Sequence, residues 1–229
     1  MSPGNNERDL GTNVSRPFAL HMAILVASAV LWTCVLWSFF DLVPDPMPVH
    51  WDASGDVDRT EPKTFLGAMT PIIVLSLLMP ALSAMMWAGA RFIPYATPAM
   101  RDYSHMVLRE TSLLTTLLTV ILSGWIVLAL LQVVRLNLFL LAVIAVLLVA
   151  WGWRISKNAR DLSHHYPHDD YLRHLKLGMF YYNPSDPRTM LRLSSASSAI
   201  NFARPQAWAL VAALIFSGIL ITLLTIVAG

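Results

Sequence analysis

Charged residues are scarce in this sequence: Asp, Glu, Lys and Arg together make up 13% of its 229 residues, whereas 56% are hydrophobic. That composition gives too little polar surface for a water-soluble globule, so lipid is the expected solvent. Cysteine is nearly absent, and because Cys34 stands alone, an intrachain disulfide is excluded. The net charge of +2 and the lack of basic clusters interleaved with aromatic residues predict no nucleic-acid partner.

Recognisable catalytic motifs are missing as well. The chain contains no Gly-Lys-Ser phosphate loop, no nucleophile elbow and no His-Glu metal helix. An enzyme would have to be assembled from scattered loop residues. We therefore predict a protein that is not an enzyme and has no cofactor, no catalytic site and no metal site.

Long apolar runs are what the sequence does have. A helix that crosses a hydrocarbon core of roughly 30 Å needs about 20 residues, and five runs approach or exceed that length. They predict an all-α integral membrane protein, a polytopic bundle of five transmembrane helices. The predicted spans are 18–40, 65–90, 112–134, 136–153 and 207–228. Because Arg135 alone separates the third and fourth apolar runs, helices 3 and 4 (112–153) are expected to form a hairpin.

Loop charge predicts the orientation, because Lys and Arg are retained on the cytoplasmic side. The loop 41–63 has six acidic and two basic residues and should face outward, whereas 154–206 has eight basic residues and should face the cytoplasm. Five spans then place the N-terminus inside and the C-terminus outside. The predicted domains are a disordered cytoplasmic N-terminus (1–17), helices 1 and 2 with an ordered extracytoplasmic loop (18–90), the helical hairpin, a cytoplasmic module (154–206) and helix 5 (207–229).

The apolar runs contain almost no ionisable residues. His21 is the one acid, base or histidine within them, which argues against a proton-coupled carrier. In the second run Ser76, Pro80, Ala84 and Ala88 recur every four residues, and small residues at this spacing let a neighbouring helix approach closely. The alternative is a proline-broken helix that lines a substrate cavity, as in a transporter.

The predicted outer loop contains a turn motif. Alternate prolines from Pro44 to Pro48 predict an extended entry, and Asp52–Gly55 predicts a tight turn in which the glycine adopts a positive φ. His50 with the nearby carboxylates is a candidate divalent-metal site, and the alternative is an ordinary acidic surface turn.

Seven residues of this loop form a recognisable pattern: Pro44, Pro48, His50, Trp51, Gly55, Asp58 and Lys63. Between a first and a second span, they resemble DUF1648, a bacterial domain of unknown function, over roughly residues 25–75. That domain also stands at the front of the SdpI-type immunity proteins, which protect a producing cell from its own secreted toxin and in signalling cases sequester a transcriptional repressor at the membrane. The resemblance implies a bacterial plasma-membrane protein with an immunity or signalling role.

A second pattern lies in the predicted cytoplasmic module. An aromatic, strand-like run is followed by Asn-Pro and Asp-Pro turns, and an Asn-Phe pair comes just before the last span. The residues are Tyr181, Tyr182, Asn183, Pro184, Asp186, Pro187, Arg188, Asn201, Phe202 and Arg204. They resemble DUF5808, a small domain that often accompanies DUF1648, and this resemblance implies no established function.

Histidines at positions 164, 165, 168 and 174 precede this pattern. They are a candidate zinc site, although Pro167 interrupts the helix that would align the first and third of them. The alternative is a solvated segment in which Asp170 caps a short helix, 171–177, whose leucines lie on the membrane surface.

We expect the chain to bind a membrane or secreted protein partner, as a sensor, an immunity protein or an accessory subunit within the lipid bilayer. The alternative is a transporter or permease component for a small uncharged or amphiphilic compound, and a third is a membrane-bound metalloenzyme that uses the histidines. The predicted partner-binding residues are Pro48, His50, Trp51, Gly55, Asp58, Lys63, Tyr181, Asn183, Pro184, Asp186, Pro187, Arg188, Asn201 and Arg204.

Overall fold

The computed structural model describes residues 15–52, 55–92, 94–134, 138–194 and 198–228. Predictions that concern residues 1–14 and Arg135 lie outside this part of the chain. The helices are α1 Ser15–Ser38, α2 Phe65–Phe92, α3 Pro98–Leu130, α4 Leu138–His165, α5 Asp170–Arg173 and α6 Pro205–Ala228. The described strands pair two by two into antiparallel ribbons: β1 Met47–Trp51 with β2 Val57–Glu61, β3 Leu175–Lys176 with β4 Phe180–Tyr181, and β5 Met190–Arg192 with β6 Ser198–Ile200.

Four helices are long and apolar enough to cross a membrane. They supply the candidate spans Phe18–Ser38, Phe65–Phe92, Pro98–Leu130 and Phe139–His165. Helix α6 supplies the shorter apolar stretch Pro205–Leu220. The mostly helical structure therefore agrees with the predicted class of all-α membrane protein, and a fifth span stays a prediction.

Helices α3 and α4 are longer than their predicted spans. α3 begins at Pro98 instead of residue 112, and α4 continues to His165 instead of ending at residue 153. An uncharged run marks only the part of a helix that suits hydrocarbon. Charged residues such as Arg101 propagate a helix in water about as well as leucine does, so the connections around these helices are shorter than predicted.

Local signals explain where these helices begin and end. Thr97 caps α3, because its Oγ1 accepts the Met100 N–H at 3.1 Å. Helix α4 ends before Pro167, in agreement with the helix interruption predicted there. α1 begins at Ser15, so residues 15–17 are helical, whereas the sequence predicted that they are disordered. Proline at position 17 is tolerated because N–H groups of the first turn have no intrahelical acceptor.

The segment after α4 differs from its prediction. Asp169, not Asp170, is the cap, since its Oδ1 accepts the Leu172 N–H at 3.0 Å. α5 ends at Arg173, and the next residues form strand β3. Pairing of β3 with β4 replaces the predicted helix to residue 177, which shows that tertiary pairing overrides a modest helix propensity. Leu172 is buried, so it is not available to lie on lipid as predicted.

The chain forms two compact units. The first unit comprises the described residues up to Phe92 and His105–Trp153, and the second comprises residues 94–104 and 154–228. Each unit has its own buried core and its own exposed features.

In the first unit, a buried cluster joins the end of α1, the start of α2 and the end of α3. Leu36, Ile72 and Val127 are each at most 1% exposed, and Val43 and Met47 from the base of the β1–β2 hairpin pack among them. The hairpin is therefore fixed to the helices by apolar burial, the main favourable term in folding.

In the second unit, three tyrosines form the centre. The ring centroids of Tyr103 and Tyr171 are 5.5 Å apart at 77°, and those of Tyr171 and Tyr181 are 5.4 Å apart at 29°. These are the edge-to-face and stacked arrangements that aromatic quadrupoles favour. Burial raises the pKa of Tyr171, so its hydroxyl stays neutral. Tyr166 donates a 2.6 Å hydrogen bond to Asp102, which raises the pKa of Tyr166 to about 12.

Candidate partner-binding surfaces

The β1–β2 hairpin brings His50 and Asp58 together. His50 Nδ1 lies 2.6 Å from Asp58 Oδ1, and the two side chains are 59% and 45% exposed. Two of the predicted partner-binding residues thus contact each other, and the contact lies on the surface. Strand β2 is exposed at each of its five positions, and in the described part of the chain it pairs with β1 only.

The other predicted residues of the hairpin support its shape. Pro48 is buried and Trp51 is half-buried against the core of the first unit. Gly55 has a φ of +85°, and its N–H donates to the Asp52 carbonyl at 3.0 Å, which confirms the predicted turn. Lys63 closes the base of the loop: its N–H donates to an Asp45 carboxylate oxygen, and its Nζ donates to a backbone carbonyl, both at 3.2 Å.

The second unit is organised around Asn201, which is fully buried. Its Oδ1 accepts the N–H groups of Asn183 and Ala203 at 3.0 and 3.1 Å. Its Nδ2 lies 2.9, 3.1 and 3.2 Å from the carbonyl oxygens of Asn183, Asp186 and Arg188, which share its two N–H hydrogens. One side-chain amide therefore holds the whole 183–188 turn, using its full donor and acceptor capacity.

Asp186 and Arg188 form a bidentate ion pair in this turn. Arg188 donates to both carboxylate oxygens at 2.9 and 2.8 Å, and Tyr181 donates to the same carboxylate at 3.1 Å. The Arg188 guanidinium holds the pKa of Asp186 well below its usual range, and Asp186 in turn raises the pKa of Arg188. Arg204 also stabilises this turn, because it donates to the Asp186 and Pro184 carbonyls.

An open cleft of about 670 Å³ lies beside this turn. It is lined by Asp170, Arg173, His174, Asn183, Ser185, Asp186, Pro187 and Arg188. Four of these are predicted site residues, and the other four were not predicted. Asp170 and His174 stand four residues apart with 3.2 Å between their side chains, a spacing that could have indicated a pair.

The predicted residues of the second unit therefore differ in their exposure. Tyr181, Asn183, Asp186 and Asn201 are buried and shape the cleft, Pro184, Pro187 and Arg188 are exposed, and Arg204 is of intermediate exposure. Among the residues that the structure describes, no group of three or more His, Cys, Asp or Glu side chains is arranged to hold a metal ion.

Sequence reasoning also missed a polar face inside the first unit. Four hydroxyl residues of α3, which we call the hydroxyl stripe, recur every three or four positions and are at most 5% exposed: Ser112, Thr116, Thr119 and Ser123. Thr116 Oγ1 donates to the Ser112 carbonyl at 2.8 Å and lies 3.4 Å from His21 Nδ1 of α1.

Two polar atoms of α1 near this stripe have no described partner. Ser28 Oγ and Trp32 Nε1 are buried and make no hydrogen bond within the part of the chain that the structure describes. Ser28 follows His21 by seven residues, so both lie on one helix face, and the Trp32 indole lies against Gly124 of α3. Buried donors without acceptors cost free energy, especially where no bulk water is available.

Comparison with known proteins identifies one part of the chain. Residues 23–75 match DUF1648, a domain of unknown function. The match begins in α1, includes the whole β1–β2 hairpin and ends in α2, so it confirms the N-terminal resemblance and covers less than half of the chain. No curated protein and no solved structure matches. The resemblance of the second unit to DUF5808 stays a prediction.

Proposed function

We propose that this chain is a non-enzymatic membrane protein that works by binding a membrane or secreted protein partner. The observation that carries the proposal is strand β2, which is ordered and yet exposed along its whole length. Such a strand offers backbone N–H and C=O groups and alternate side chains to another polypeptide.

The His50–Asp58 pair is the most specific feature of that surface. Each side chain is held by the other at 2.6 Å, although both are about half exposed. A polar group that is already oriented loses less conformational entropy when a partner binds. The hairpin is also anchored by Val43 and Met47, so it presents the pair on a fixed support.

The cleft of the second unit is a further surface for the same kind of partner. Arg188 uses Nε and Nη2 for Asp186, and its side chain is still 60% exposed. Arg173 and Asp170 add one charge of each sign to the lining. This arrangement suits a polar peptide segment of a partner protein, with carboxylate and amide groups that the cleft complements.

We further infer a bacterial plasma-membrane location and five spans from the sequence. Loop charge favours an outward-facing 41–63 and a cytoplasmic 154–206. Sensor, immunity or accessory roles fit an outer recognition surface of this kind, and the DUF1648 match supports the immunity and signalling roles through the resemblance to SdpI-type proteins alone.

Affinity capture tests the proposal. The tagged protein is purified from gently solubilised native membranes, and co-purifying proteins are quantified by mass spectrometry for wild type and for the His50→Ala/Asp58→Ala double variant. We expect a partner that wild type retains and the double variant loses, with equal membrane insertion. Arg160→Ala, which changes an exposed charge of α4, is the matched control and should keep the partner. Equal capture by all three proteins would remove the hairpin from the proposal.

A second candidate function is passage of a small uncharged or amphiphilic compound. The observation that favours it is the hydroxyl stripe together with the buried Ser28 hydroxyl of α1, because hydroxyl groups inside a helical bundle suit an uncharged polar solute. α2 is one continuous helix through Pro71 and Pro80. The proline-broken helix considered in the sequence analysis therefore does not support this function. Glycerol flux into proteoliposomes tests it: flux above that of protein-free liposomes, lowered by Ser28→Leu, would support transport, and background flux would remove it.

A further inference from the structure

We propose that an aromatic patch of the second unit, made of Phe180, Phe202 and Trp208, is an anchor in the headgroup region of the lipid bilayer. This contact with lipid goes beyond the transmembrane helices and is independent of partner binding. It concerns the segment around β4 and the start of α6.

The three rings form one continuous row. The centroids of Phe180 and Phe202 are 5.5 Å apart at 84°, and those of Phe202 and Trp208 are 5.5 Å apart at 68°. Both contacts are edge-to-face, the geometry that aromatic pairs favour. The backbone of the middle residue is fixed to β4, because the Phe202 N–H donates to the Tyr181 carbonyl at 2.9 Å.

The patch shows apolar surface to its surroundings. Phe180 is 43% exposed and Trp208 is 59% exposed. The polar atom of the indole is already satisfied, since Trp208 Nε1 donates to the Phe202 carbonyl at 3.0 Å. The rings can therefore leave water without losing a hydrogen bond, which removes the usual cost of moving tryptophan into lipid.

Two observations point to lipid as the occupant. Trp208 lies in the first turn of α6, and Leu210 and Leu214 of the same helix are apolar and exposed, so the patch is continuous with a surface that suits hydrocarbon. Lys176 pairs with Phe180 across the ribbon and shares its face. Aromatic rings beside a basic side chain are the combination found at the membrane–water interface.

Site-directed spin labelling tests the anchor. Cys34→Ser removes the single cysteine, and a nitroxide is then attached at Phe180→Cys, at Tyr182→Cys or at Ser185→Cys. Tyr182 is 42% exposed and shares the face of Phe180 by strand alternation, and its replacement leaves all three rings intact. Ser185, which lines the cleft, is the matched control.

Each labelled protein is placed at one chain per nanodisc of phosphatidylcholine and phosphatidylglycerol, and collisions with oxygen and with a water-soluble nickel chelate are measured. Oxygen concentrates in lipid, so we expect an oxygen-to-nickel ratio several-fold higher at positions 180 and 182 than at 185. An oxygen-to-nickel ratio at position 182 as low as that at position 185 would place the patch in water and overturn the anchor. Low collision rates with both reagents at 182 would show that protein covers the patch, which also overturns it.

Discussion

Asn201 is the residue on which the 183–188 turn depends. It is fully buried, its Oδ1 accepts two N–H groups, and the two N–H bonds of its Nδ2 are shared among three backbone carbonyls. The Asp186 carbonyl also accepts from Arg204, and the Asn183 carbonyl also accepts the Asp186 N–H, so the Asn183 and Ala203 N–H groups depend on the amide most directly. A buried polar side chain of this kind stabilises one conformation because every alternative leaves polar groups unpaired.

Asn201→Ala should open this turn. Each buried group left unpaired costs about 1–3 kcal/mol, and the substitution leaves several. We expect hydrogen exchange at the Asn183 and Ala203 amides, which donate to Oδ1, to accelerate strongly. Amides of strands β1 and β2, in the first unit, are the internal control and should not change. Unchanged protection at Asn183 would contradict this role.

The Asp186–Arg188 pair predicts a pH dependence. The pKa of Asp186 is lower in the folded protein than the ordinary 3.8, so this carboxylate takes up a proton first in the unfolded chain as the pH falls. The stabilisation is therefore complete above the ordinary value and is lost below it. We expect Asp186→Asn to lower the thermal midpoint at neutral pH and at about pH 5 by the same amount, and this difference to shrink near pH 3. A difference that is constant through pH 3 would contradict the ion pair.

At the scale of elements, Gly178 fixes the turn between β3 and β4 in the second unit. Its φ is +68°, and a Cβ added there would lie 2.7 Å from the Ser156 Cα and 2.9 Å from the Ala159 Cβ of α4. Both the backbone conformation and the close approach require glycine. Tyr103 adds a hydrogen bond to the Gly178 carbonyl at 3.0 Å, so the ribbon is held tightly on the helices of its own unit.

Gly178→Ala should destabilise the second unit by roughly 1–3 kcal/mol or more from strain and steric overlap. Gly218→Ala in α6 is the matched control, because a Cβ there has no atom within 4 Å and alanine favours helix over glycine by about 1 kcal/mol. Thermal unfolding of both variants, followed by intrinsic fluorescence, should show a loss for the first and little change or a gain for the second. Equal thermal midpoints for the two variants would mean that the close approach of Gly178 to Ser156 does not require glycine.

The elements that could be predicted are those with local causes. The apolar runs indicated helices α1 and α2, and Asp52–Gly55 indicated the turn that Gly55 forms. The extension of α3 could not be found from uncharged runs, and Glu110, placed in a loop by that reasoning, is 2% exposed inside α3. Residue patterns pointed to the turn around Asn183, but its burial depends on Asn201, 18 positions away, which no local pattern reveals.

At the scale of the whole molecule, the orientation in the membrane is the property on which the proposed roles depend. Loop charge predicts that 41–63 faces outward and 154–206 faces the cytoplasm. In a Cys34→Ser background, Arg59→Cys and Ser185→Cys each place one exposed thiol in these segments. A membrane-impermeant maleimide should label position 59 in intact cells and position 185 only after permeabilisation. Labelling of both in intact cells would refute the predicted orientation.

Helix α6 decides the number of spans. It runs from Pro205 to Ala228, and about 20 residues suffice to cross the hydrocarbon, so five spans require it to pass through the bilayer. A C-terminal alkaline phosphatase fusion, which is active only outside the cytoplasm, should then be active, whereas a fusion truncated at Arg204 should be inactive. Two inactive fusions would mean that α6 stays on the side where it begins, and the protein would have four spans. The aromatic patch at Trp208 is compatible with either result, since a headgroup anchor precedes a spanning helix and a surface helix alike.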